Sequence, residues 1–189
     1  MNCDRTLFRG MLLIGMLLYP IIAQGDADET RRSSIAEKGR LLFKNTSNHC
    51  RAYRDLVSFT ADKADGPMQM LEDLKLVLIG SDLRHRGQGV HYIGGTPGAR
   101  GDKGFKAELR DGSPQVEHSL AAIYIGKFYP PGAAEAAAFR TEVMGPLTGD
   151  GKLNAADILL WSLGGDTGQR LDKSNYKQLP RVIERTQCE

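Results

Sequence analysis

Residues 111–144 read DGSPQVEHSLAAIYIGKFYPPGAAEAAAFRTEVM, and this stretch decides the fold that we expect. Ser113 followed by Pro114 is a typical helix start, because a serine hydroxyl caps a free backbone N–H and proline has no N–H to leave unpaired. Apolar residues then recur at helical spacing. The Pro130-Pro131-Gly132 corner ends that helix, and the alanine-rich residues 133–144 predict a second one.

The two predicted helices place His118 opposite Glu142. Helices joined by so short a corner usually lie antiparallel, and counting outward from the corner at about 1.5 Å per residue brings the two side chains level. A histidine that faces a carboxylate is a candidate general acid–base pair or half of a metal site. His118 and Glu142 are therefore the candidate catalytic residues, with a purely structural hydrogen bond between packed helices as the alternative.

The first 25 residues have the pattern of a cleaved signal peptide. Arg5 and Arg9 form a basic start, residues 11–23 are apolar, and small residues precede the expected cleavage point. The apolar run is short for a membrane span. We predict that residues 1–25 are removed, that residues 26–189 form a single domain, and that the protein is secreted or periplasmic. Retention of the segment as an N-terminal anchor is the alternative.

The charge balance argues against a dedicated nucleic-acid binder. The chain has 25 basic and 23 acidic side chains, and loss of residues 1–25 removes two arginines and one aspartate, which leaves 23 and 22. Nucleic-acid-binding surfaces carry a strong basic excess, which this chain lacks. After cleavage we expect no attachment to a membrane. The expected partner is a protein, a glycan or a small molecule.

Cys50 and Cys188 are the two cysteines that remain after cleavage. An even number of cysteines in an exported chain typically forms disulfides. We predict a Cys50–Cys188 disulfide that ties the C-terminus to the end of the first helical region. Two free buried thiols are the alternative.

The remainder of the chain predicts further helices separated by breaks. They are expected from residue 33 or 34 to a break at 45–48, over 51–61, over 68–79, over 153–163 and near the C-terminus. Asn154 is the predicted cap of the fourth, and Gly164-Gly165 its predicted end. Residues 26–32 are expected to be frayed. The predicted fold class is mostly α, a compact single-domain helical bundle with a long Gly-rich basic loop over residues 80–112.

That loop is where we expect ligand contacts. Long loops inside compact domains are usually functional or disordered, and binding residues concentrate on loops. The basic side chains between residues 80 and 112 favour a binding or interaction module. The candidate ligand-binding residues are Arg84, His85, Arg86, His91 and Arg100.

Three shorter motifs carry less weight. Asn45-Thr46-Ser47 fits the glycosylation triplet, although helix-terminal capping is the favoured interpretation. Residues 148–157 resemble the second half of a dockerin or EF-hand calcium loop, with Asp157 at its last ligand position. Pro146 and Thr148 stand where that family requires oxygen ligands, so an ordinary turn before a capped helix is expected. His85, His91 and His118 have no spacing that fixes a zinc geometry, and we assign no metal site.

Whether the chain is an enzyme stays open at this level, and no cofactor is indicated. It contains no nucleophile elbow, phosphate loop or dinucleotide fingerprint. The first hypothesis is an exported binding module that uses the 80–112 loop. The alternative is a hydrolase or metal-dependent enzyme that uses His118 and Glu142.

Overall fold

The computed structural model describes residues 27–79, 101–112, 114–140 and 154–189, and this part of the chain is mostly helical, as predicted. The chain divides after Ser34 into two units, and the buried apolar core belongs to residues 35–189, with side chains such as Leu56, Leu74 and Ile123 completely buried. Among the described residues, no helix combines the length and apolar character needed to cross a bilayer. The helices are α1 (residues 27–44), α2 (His49–Lys63), α3 (Pro67–Leu78), α4 (Gln115–Phe128), α5 (Ala133–Ala138), α6 (Ala155–Arg170) and α7 (Leu179–Thr186).

Helices α4 and α6 pack against each other almost backbone to backbone. A Cβ atom on Gly168 would overlap the Ile123 carbonyl oxygen and lie 2.7 Å from the Lys127 nitrogen. One on Gly164 would lie 2.5 Å from the Ala122 Cβ. The prediction that Gly164-Gly165 ends the helix is therefore wrong, and α6 continues to Arg170. The close packing offsets the roughly 1 kcal/mol by which each glycine disfavours a helix.

Gly168→Ala is expected to lower the free energy of unfolding by about 2–3 kcal/mol, because the new methyl meets main-chain atoms that cannot rotate away. Urea unfolding followed by circular dichroism measures the change. The control is Gln169→Ala, an exposed position one residue further along α6, which is expected to stay within about 0.5 kcal/mol of the unmodified protein. Equal stability of the two variants would contradict the close approach of α4 and α6.

The predicted disulfide is present and joins the first turn of α2 to the chain end. The Cα atoms of Cys50 and Cys188 lie 5.6 Å apart. The chain around Phe105 runs beside both cysteines: Phe105 forms an isolated antiparallel bridge with Cys188, and the Cys50 N–H donates to the Lys103 carbonyl at 3.1 Å. Phe105 is itself completely buried. The disulfide therefore also anchors the described end of the 80–112 segment.

An ion pair is buried between α3 and α4. The Lys75 ammonium lies 3.0 Å from a Glu72 carboxylate oxygen, and only 2% of the lysine side chain is exposed. Tyr124, from α4, donates its hydroxyl to the other Glu72 oxygen at 2.5 Å, and its ring lies 4.4 Å from the ammonium. The three side chains satisfy one another in a position where an unpaired charge would be costly.

Helix starts differ from the prediction at two places. Residues 27–32 are helical and not frayed, and an Asp28–Arg31 salt bridge of 2.6 Å links successive turns there. Helix α4 begins at Gln115, with Pro114 at the capping position instead of inside the helix. The buried Gln115 amide donates to the Leu109 carbonyl at 2.7 Å, which accounts for the shift by holding the first turn. The predicted cap Ser113 and predicted helical residues 141–144 lie outside the described residues.

Other predicted boundaries are confirmed. The break after α1 is present, and Asn48 caps α2 by accepting the Arg51 N–H. Asn154 caps α6, as predicted, and the helix predicted near the C-terminus is α7, with Pro180 in its first turn. The predicted signal peptide and its cleavage point fall on residues outside the described ranges, so they stay predictions.

Candidate functional site

His118 lies on α4 and pairs with a carboxylate from the first turn of α6. Its Nδ1 is 2.8 Å from an oxygen of Asp157, whose side chain is 2% exposed, whereas 25% of the histidine side chain is exposed. Glu142 lies outside the described residues, so the predicted His118–Glu142 pair stays a prediction. Within the described part of the chain, the carboxylate partner of His118 is Asp157.

Asn154 holds that carboxylate in place. Its side-chain oxygen accepts the N–H groups of Ala156 and Asp157, which caps α6. Its side-chain amide donates to the second Asp157 oxygen at 2.8 Å and also to Asp111. Both oxygens of Asp157 are thus engaged, one by His118 and one by the cap. A carboxylate on Nδ1 favours the tautomer whose Nδ1 carries the proton, so that Nε2 is the basic nitrogen.

Trp161 forms the apolar side of this site. Its ring centroid lies 6.2 Å from that of His118, and 8% of the residue is exposed. Small side chains of α4 and α5 surround the indole, whose N–H is buried and has no acceptor among the described residues. Ser119, the hydroxyl next to His118 in sequence, is buried and donates to Gln187 at 2.6 Å. The His118–Asp157 pair therefore resembles an oriented general base, and the neighbouring Ser119 hydroxyl is engaged away from it.

The candidate ligand-binding residues Arg84, His85, Arg86, His91 and Arg100 lie in residues 80–100, outside the described ranges. Residues 101–112 are described, and two of their cations are engaged with the chain end. Lys106 donates to the Arg185 carbonyl at 2.8 Å, and Arg110 pairs with Glu189 at 2.6 Å. The C-terminal end of the proposed binding segment is thus attached beside the disulfide.

Metal binding has no support within the described ranges. They contain no group of three or more His, Cys, Asp or Glu side chains placed to hold an ion. Two of the three histidines weighed for zinc, His85 and His91, fall outside these ranges.

Sequence reasoning missed the role of Asp157, although its signal was present. Asn154 and Asp157 have the spacing of a cap and a third helical residue, which places a carboxylate in the first turn of α6. Nothing in that spacing reveals which neighbouring helix supplies its partner. The pairing with His118 follows from the glycine contacts that bring α4 and α6 together.

His49 is a second missed histidine, at the start of α2 beside the disulfide. Its ring packs against Gly101, where a Cβ atom would overlap it, and lies 6.5 Å from the Phe43 ring. Burial lowers the pKa of His49 below 6.5, the Lys103 ammonium adds to that effect, and Asp102 opposes it. The fold thus favours the neutral imidazole.

A pH prediction follows from the lowered His49 pKa. The unfolded chain binds a proton at this residue near pH 6.5 and the folded chain only at lower pH, so the stability that the neutral ring contributes is complete above pH 6.5 and is lost as pH falls through the folded value. His49→Gln is expected to lose less stability than the unmodified protein between pH 7 and pH 5. Urea midpoints at the two pH values measure the difference, and equal losses would contradict the prediction.

Comparison with known proteins finds no match to any family model, curated protein or solved structure.

Proposed function

We propose that the chain is an exported, single-domain binding module that captures a ligand through the basic segment of residues 80–112. The carrying observation is the attachment of residues 101–112 to the disulfide and the chain end, through Phe105, Lys106 and Arg110. A binding segment with one fixed end loses less conformational freedom when a ligand binds. This anchoring supports a binding role for the residues that precede it.

The charge pattern supports an acidic ligand. Residues 80–100 contain three arginines and one aspartate, a net charge of +2, whereas residues 101–112 contain three basic and three acidic side chains. Two of the basic side chains in residues 101–112, Lys106 and Arg110, are bonded to the C-terminal residues. The arginines at 84, 86 and 100, assisted by His85 and His91, are thus the proposed contacts, since guanidinium groups pair with carboxylates and sulfates in two-point contacts. An acidic glycan or an acidic protein surface is the expected partner class, not nucleic acid or membrane.

Removal of the three arginines tests the proposal. The protein is applied to immobilised heparin and to an array of acidic peptides, together with the triple variant Arg84→Gln, Arg86→Gln, Arg100→Gln. Binding of the unmodified protein to at least one of the two surfaces and its loss in the variant are expected, with an unchanged melting temperature. The matched control is Lys173→Gln, Lys177→Gln, Arg181→Gln, three exposed cations elsewhere. Failure of the unmodified protein to bind either surface, or equal loss in both variants, would reject the assigned segment.

A second candidate function has a separate observation in its favour, the short contact between His118 and the buried Asp157. In a hydrolase, His118 would accept a proton from water through Nε2, and Asp157 would orient the ring and stabilise its charged form. The orientation of His118 by Glu142 stays a prediction, and in this proposal Asp157 takes the orienting role, which leaves Nε2 open to water. A structural hydrogen bond between α4 and α6 is the competing explanation.

His118→Gln separates these two explanations. With p-nitrophenyl acetate as the probe, a general-base role predicts hydrolysis by the unmodified protein and a loss of about 100-fold in the variant, whose fold persists by circular dichroism. Gln115→Ala is unsuitable as a control because its amide holds the start of α4. Glu117→Gln, next to His118 but outside the pair, is the matched control. A large loss of stability with no hydrolysis to lose would favour the structural role.

A further inference from the structure

A groove of about 250 Å³ lies between the C-terminal half of α6 and helix α7, remote in sequence from the 80–112 segment. Its apolar lining comes from both helices and the connector between them. The side chains concerned are Leu163, Leu171, Leu179 and Val182. Apolar surface in a concave position is the usual environment for the hydrocarbon part of a small ligand.

Several polar side chains line the groove, and some of them are already bonded within the chain. Thr167 and Thr186 each donate to a backbone carbonyl four residues earlier, at 2.8 Å. The Asn175 side chain is also engaged: its oxygen accepts the Asp172 N–H, and its amide nitrogen donates to the Arg170 carbonyl. Arg170 and Arg185 also line the groove, and neither guanidinium pairs with a carboxylate within the described residues. Two unused guanidiniums beside apolar surface favour an anionic ligand.

Asp166 is the acidic side chain of this lining. It stands one helical turn before Arg170, so the two arginines and one aspartate leave the groove with a net charge of +1. Asp166 and Arg170, both within the described residues, are not paired, so an incoming carboxylate would meet both guanidiniums, with the Asp166 charge one helical turn from Arg170. The positive balance favours anions over cations, and the apolar lining favours anions that carry a hydrocarbon chain.

We propose that this groove binds a small amphiphile, a short hydrocarbon chain that ends in a carboxylate. The volume lies below the roughly 300–1,000 Å³ typical of sites for drug-sized ligands, which limits the occupant to a short chain such as that of octanoate. The chain would lie on the four apolar side chains, and the carboxylate would accept from Arg170 and Arg185. This proposal does not depend on the function proposed for residues 80–112, because none of those residues lines the groove, although Lys106 donates to the backbone carbonyl of Arg185.

Calorimetric titration with octanoate tests the proposal. The unmodified protein is expected to bind octanoate and to bind 1-octanol, which has the same chain without the charge, at least tenfold more weakly. Arg170→Gln combined with Arg185→Gln should weaken octanoate binding at least tenfold. Lys173→Gln combined with Lys177→Gln removes the same charge outside the groove lining and should leave binding unchanged. Circular dichroism establishes that both double variants are folded.

Three results would overturn the proposal. They are the absence of octanoate binding by the unmodified protein, equal binding of octanol and octanoate, and equal affinities in the two double variants. The variant lacking Arg84, Arg86 and Arg100 separates this site from the other one: it should retain octanoate binding even where it has lost binding to heparin or acidic peptides.

Discussion

Loss of the Cys50–Cys188 disulfide is expected to lower the free energy of unfolding by about 4–5 kcal/mol. The cross-link spans 138 residues of sequence, and in the chain-entropy model a loop of that size restricts the unfolded chain by about 5 kcal/mol, while native disulfides measured in small secreted domains contribute about 2–5 kcal/mol. Cys50→Ala combined with Cys188→Ala removes the bond without leaving a free thiol. Urea unfolding of the oxidised protein and the double variant measures the loss.

A reductant supplies the control for this experiment. Reduction should lower the urea midpoint of the unmodified protein and leave the midpoint of the double variant unchanged. Loss of the bond should also increase hydrogen exchange around Phe105 and the chain end, since both pair beside Cys188. An unmodified protein whose stability is indifferent to the reductant, or whose intact mass reveals two free thiols, would contradict the account of the disulfide.

Lys75→Met is expected to lower the free energy of unfolding by about 3 kcal/mol or more. The substitution keeps the volume of the buried stem but withdraws the cation that lies 3.0 Å from Glu72. Removing one member of a buried pair leaves the other charge in a poorly solvated position, which typically costs about 3–5 kcal/mol. Thermal and urea unfolding at neutral pH measure the effect.

A double-mutant cycle distinguishes the lost charge pairing from lost packing. Glu72→Gln combined with Lys75→Met removes both charges, while the amide oxygen can still accept the hydroxyl of Tyr124. Because neutral replacements of a buried pair are often tolerated, the double variant is expected to be more stable than Lys75→Met alone. If Glu72→Gln lowers the free energy of unfolding by the same amount with and without Lys75→Met, the two charges are not coupled.

Much of the helical framework could be predicted because local chemistry determines it. Asn154 caps α6 as its side-chain oxygen requires, and Pro180 occupies the first turn of α7, where a missing N–H costs nothing. The disulfide followed from cysteine number and expected compartment. Gly164 and Gly165 led to the wrong prediction that the helix ends there, because glycine commonly follows the last residue of a helix. Their role in α6 is tertiary, since they let α4 and α5 approach.

The candidate site could be predicted only in part, for the same reason. His118 was identified from its helix, but its partner was sought on the next helix along the chain. Asp157 comes from a helix that begins more than thirty residues later and reaches His118 through the α4–α6 contact. A sequence pattern reports which residues share a helix face and not which helices become neighbours. The groove between α6 and α7 was missed because α6 was predicted to end before reaching it.

Hydrogen exchange with and without a heparin octasaccharide tests the proposed function most directly. Amides of residues 80–100 should gain protection when the oligosaccharide binds, and those near His118 and in the α6–α7 groove should not change. The triple arginine variant should lose this protection while its helices exchange as before. Protection confined to α6 and α7, or no protection anywhere in the chain, would contradict the assignment of residues 80–112 as the binding segment.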